Sequence, residues 1–147
     1  MKVTNLKLLA TSDKDLSVIA AHLQDSIVSP KDIANLKQNR IFLIQLNRFM
    51  WEDVEKGVFR KNKRIRTILK FDNVINVLSK NIDLKNDKKF LDFLTIESIL
   101  LPDKSYEIKL IFSGNVIIKV STEVIDVTLD DQGSPWESKT SPKHNFL

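Results

Sequence analysis

Residues 12–27, SDKDLSVIAAHLQDSI, decide how the rest of the chain is read. Leu16, Ile19, Ala20, Leu23 and Ile27 recur at helical spacing, so a helix here carries one continuous apolar stripe. Ser12 with Asp15 three residues on predicts a capping box, because each side chain can satisfy a free N–H of the first turn. Asp13 and Asp15 also place negative charge at the positive end of the helix dipole. Ser29-Pro30 makes continuation costly, so the helix is expected to end near Val28.

Outward from that helix the pattern changes to alternation of apolar and polar residues, which is the strand period. Ile41 to Trp51 is long, rich in β-branched and aromatic residues, and apolar on both faces at its centre, so it is expected to lie centrally. Arg64 to Phe71 alternates cleanly, and a phase slip at Asp72-Asn73 precedes Val74 to Leu78. Ser113-Gly114-Asn115 reads as a hairpin turn between Tyr106–Phe112 and Val116–Val120. The expected class is α+β: an antiparallel meander of seven to eight strands, curved or barrel-like, with one N-terminal helix packed on it. A pleckstrin-homology-like barrel is the alternative. Residues 1–132 form the expected single domain, and 133–147 a polar C-terminal tail docked by Trp136, since a lone indole in such a tail tends to pin it to the body.

The chain has 147 residues, the size of one domain with a self-sufficient core. It contains no cysteine, which excludes disulfides, a thiolate nucleophile and a cysteine zinc site. The same absence fits a reducing cytoplasm. No apolar run approaches the ~20 residues of a membrane helix. The N-terminus lacks the long apolar core of a signal peptide. The net charge of +4 permits an acidic partner without demanding one. Three glycines, Gly57, Gly114 and Gly133, leave no phosphate loop and no dinucleotide fingerprint. No cofactor or metal is expected.

Four stretches together carry a resemblance: KLLATSDKDLSVIAAHLQDSI at 7–27, LNRFMWE at 46–52, RIRTILKFDNV at 64–74 and GSPWESKTSPKH at 133–144. The chain resembles domain-of-unknown-function family 2948, small proteins found mainly in alphaproteobacteria. The resemblance spans nearly the whole chain. It implies a stand-alone bacterial domain in the cytoplasm and carries no activity or site residues with it.

Three constellations could carry function. The first is His22, Gln24 and Asp25 on the helix, with His22 suited to general-base or ligand duty; the plainer reading is a boundary histidine bonded to a neighbour. Val18 and Ala21 on the same far side suggest either a partner surface, a second copy of the chain included, or a seat for Trp136. The second is Asn47, Arg48 and Trp51 at the end of the central strand, where a pocket could form. The third is the basic strip Arg60, Lys61, Lys63, Arg64, Arg66 and Lys70. It could contact phosphates, or could simply be a strand edge kept soluble by charge. The expected function is a protein-binding or adaptor domain of unknown partner, a homodimer being one form of it. The alternatives are an RNA- or DNA-binding module on Arg60–Lys70 and an enzyme with a site near His22, Asn47 and Trp51.

Overall fold

A computed structural model of the chain describes residues 5–50 and 63–137. Its elements are β1 (Lys7–Ala10), α1 (Asp13–Leu23), β2 (Ile27–Val28), β3 (Ile33–Leu36), β4 (Ile41–Phe49), β5 (Lys63–Phe71), β6 (Val74–Lys80), β7 (Leu91–Leu100), β8 (Tyr106–Phe112), β9 (Val116–Thr122) and β10 (Val127–Glu137). The ten strands form one sheet in the order β1-β10-β5-β4-β2-β7-β8-β9-β6, with β3 paired to β4. The α+β class stands. The strand number, ten, exceeds the expected seven to eight; β2 accounts for one of the difference, being too short to leave a period in the sequence. The sheet is not closed, so the barrel reading is corrected. It is not a plain meander either: β5 hands the chain to β6 at the far edge, and β10 returns to lie between β1 and β5.

Capping proceeds as the residues dictate. Ser12 Oγ accepts the Asp15 N–H at 3.2 Å, and Asp15 Oδ2 accepts the Thr11 N–H at 3.0 Å. Leu16, Ile19, Ala20 and Leu23 are all buried. The helix stops at Leu23, earlier than expected, because Asp25 takes the left-handed conformation at φ 64° and cannot continue it. That turn then stitches the sheet. Asp25 donates its N–H to Phe93 O at 3.0 Å, Ser26 O accepts the Phe93 N–H at 2.9 Å, and Ile27 faces Asn47 on one side and Asp92 on the other.

β2 therefore joins two halves, β1-β10-β5-β4-β3 and β7-β8-β9-β6. A second join lies at Arg40, itself left-handed at φ 57°. Its carbonyl accepts the Val74 N–H at 3.0 Å, its Nε donates to Val74 O at 3.2 Å, and its Nη2 pairs with Glu123 at 2.6 Å. One apolar core serves both halves. Phe42, Ile44, Leu69, Phe71, Val127 and Leu129 come from one half; Phe93, Ile108, Leu110, Phe112, Ile118 and Val120 come from the other, with the helix stripe among them. The rings pack in tilted or edge-on pairs, Phe42–Phe71 at 5.9 Å and Phe93–Phe112 at 5.8 Å between centroids.

The polar segment from Asp130 is a further correction. It continues β10 to Glu137, pairing with β5 up to Glu137↔Lys63. Trp136 sits in this ladder opposite Arg64 and keeps 38% of its surface in solvent. The backbone ladder, resumed at Trp136 and Glu137 after a break past Gln132, ties this segment to the body, rather than a buried indole.

Candidate functional site

The candidate residues fall in three places. His22 is half-buried, and its Nδ1 lies 2.9 Å from Val18 O one turn earlier, so it is tied to its own helix. Gln24 is the C-cap residue and lines a groove with Ser17, Ala20 and Ala21 of α1 and Leu94, Thr95 and Ile96 of β7. Val18 and Leu94 are exposed beside it, at 48% and 44%. Asp25 lies past the helix, contrary to the helical reading that pointed it away from the sheet.

Asp25 and Asn47, from two separate constellations, meet at Arg64 from the third. Arg64 Nη1 donates to Asp25 O at 3.2 Å and to Asn47 O at 3.1 Å. The guanidinium is buried, and burial pulls its pKa down while the carboxylates of Asp25 and Asp92 pull the other way. An arginine so placed acts as a buried strut. Arg66 and Lys70 share its strand face by alternation, but only Arg66 is exposed, and Lys70 lies 3.7 Å from Asp72. Lys63 is half-buried at the strand start. Trp51, Arg60 and Lys61 lie outside the described residues.

Arg48 turns inward. Its Nε and Nη2 bind Asp131 Oδ1 and Oδ2 at 2.8 and 2.7 Å, a two-pronged pair with both side chains fully buried. Asp131 also accepts the Leu6 N–H at 2.8 Å and donates its own N–H to Leu6 O at 2.9 Å. The pair spans three strands, since β5 runs between β4 and β10. Asp131 is absent from the sequence-based candidates. The signal was nonetheless present: Val127, Leu129 and Asp131 continue one alternation, as do Phe42, Ile44, Leu46 and Arg48. Each is an apolar inward row that ends in a charge, and the charges are opposite.

The second half offers a different surface. β6 ends the sheet, and among the described residues it pairs only with β9 along its length beyond Val74. Ile75 and Leu78 on it are exposed at 54% and 52%. Ile99, Leu100 and Phe90 are exposed in and before β7. Among the described residues there is no cluster of three metal-ligating side chains and no helix long and apolar enough to cross a membrane.

Fold and site together define an open antiparallel α+β domain with apolar residues outside its core and, among the described residues, an unpaired edge on β6. The chain belongs to the family described as "Protein of unknown function (DUF2948)", whose model matches residues 6–144. No curated protein and no solved structure matches it.

Proposed function

We propose that this chain is a protein-binding or adaptor domain acting in the cytoplasm. One observation carries the reading: exposed large apolar side chains gather on the half that ends in the edge strand β6. Apolar side chains left in water at a sheet edge favour burial by a partner, at about 25 cal/mol for each Å² covered. The groove between α1 and β7 adds a second concave surface, of mixed character, where Ala20, Ala21, Leu94 and Ile96 meet Ser17, Gln24 and Thr95. The nucleic-acid reading has less support, because Arg64 is committed to two backbone carbonyls within the fold.

The test is co-purification of the tagged chain from native cells with nuclease present, followed by rebinding of the recovered protein in purified form. A complex that reforms from two purified proteins is the expected result. Recovery of nucleic acid alone, bound in a salt-sensitive way that Arg66→Glu abolishes, contradicts it.

A further inference from the structure

We propose that β6 is a docking edge that takes an extended, acidic and apolar segment of a partner polypeptide as an added antiparallel or parallel strand. The inference rests on the protein-binding reading and names the partner's chemistry and mode of attachment. In any strand, successive residues aim their N–H and C=O groups to opposite sides. β6 is 7 residues long, and beyond Val74 its β9 side alone is paired among the described residues. Among the described residues the remaining side presents a row of unpaired backbone groups, which is the template used in strand addition.

Three observations say what should lie there. First, the edge is lightly protected: its one bulge lies at the start, between Val74 and Asn76, and its one lysine, Lys80, at the end. From Val74 to Ser79 the sequence VINVLS has no charge and no proline, and Ile75 and Leu78 stand exposed. By contrast β1 and β3 are 4 residues each, too short to template much. Second, a groove already runs along the start of β6, lined by Asn35, Lys37 and Arg40 opposite Ile75, Asn76 and Val77. Third, the neighbouring outward face has excess positive charge. Lys109 lies directly opposite Lys119 in the β8–β9 register, an arrangement that destabilises on its own. Leu78 is the next residue in that row, and Lys80 follows on the same face. Glu107 offsets Lys119 at 3.1 Å. Lys80 adds another cation at one end of the edge, and Lys37 stands in the groove at the other.

A strand laid along β6 therefore meets apolar contacts at Ile75 and Leu78 and cations at both ends. Acidic residues at its flanks and branched apolar residues at its centre complement that pattern. A second copy of β6 does so poorly. VINVLSK contains no carboxylate, so self-pairing brings further lysine to a face that already holds three.

The experiment titrates the full ¹⁵N-labelled chain with a peptide of alternating valine and glutamate, seven residues long to match β6, and with its valine–lysine counterpart. The expected result is amide shifts confined to β6, β9 and the Lys37–Arg40 corner, with the lysine peptide roughly tenfold weaker or worse. Leu78→Asp and, separately, Lys80→Glu should each weaken the acidic peptide; both positions are exposed, so the fold survives the changes. Shifts that map to the α1–β7 groove overturn the inference, as does equal binding of both peptides or binding of neither. Self-association that Leu78→Asp abolishes, without peptide binding, overturns it in favour of a second copy. If the peptides fail while the chain still rebinds a purified partner, strand addition falls and the protein-binding reading stands.

Discussion

The two halves of the sheet differ in where each keeps its exceptions. In the β4-β5-β10 half the inner face is mostly apolar until it ends in the buried pair Arg48–Asp131, and the outer face mixes polar Arg66, Lys70, Asp130 and Gln132 with a few apolar residues, Trp136 the most exposed on these three strands. In the β7-β8-β9-β6 half the inner rows Ile108, Leu110, Phe112 and Ile118, Val120 hold no charge, and apolar side chains stand outside instead. A buried ion pair adds little net stability, since desolvation cancels much of the attraction. What it does supply is a penalty for error. A one-residue slip of β10 would turn Asp131 to the other face and strand the Arg48 charge inside. The first half thus fixes its own register, whereas the second half leaves an edge that another chain can read.

The sharpest way to break this contrast is to remove one charge. Asp131→Ala leaves Arg48 buried without its carboxylate and should cost about 3–5 kcal/mol, read by urea unfolding. Adding Arg48→Met should cost much less than the sum of the two single changes, a coupling that a double-mutant cycle measures. Additive losses would show that the two side chains do not act as a unit.

Next in size is the helix that both halves share. Leu23 is fully buried, and Leu23→Ala should cost about 2–5 kcal/mol through lost transfer energy and a cavity. A melting temperature within about a degree of the parent would place the stripe away from the core.

Smallest is the cap. Ser12→Ala should cost about 1 kcal/mol. Asp15 is held below the ordinary 3.8 chiefly by the Thr11 N–H, against some desolvation. Its stabilising share is therefore present above that value and is lost as pH falls through the lower folded value. Asp15→Asn should flatten that part of the acid decline in melting temperature; an unchanged decline would mean that the cap contributes nothing there.

Long, strongly periodic elements were legible in the sequence: the α1 stripe, the capping serine, β4, β5, β8 and β9. Short or tertiary features were not. β2 has two residues and owes its place to the left-handed turn at Asp25, which no period announces. Leu23 rather than Val28 ends the helix for the same reason. The polar run through Gly133-Ser134-Pro135 looked like tail because its strand pairing comes from β5, not from its own propensity. Among the candidate residues, Asp25, Asn47 and Arg64 do come together, but as a strut and its carbonyl partners. Arg48 was flagged as a strand-end residue, while Asp131 showed only as the charged end of the Val127–Leu129 alternation, with nothing to join it to a residue 83 positions away.

Native-state hydrogen exchange on the free chain tests the division between a locked half and an open edge most directly. Amides of β5, paired on both sides by β4 and β10, should exchange only near the free energy of global unfolding. Those of β6 that face away from β9 should exchange through local opening, with little protection. Protection of β6 equal to that of β5 in the free monomer would mean that the edge is already covered, and would contradict the account.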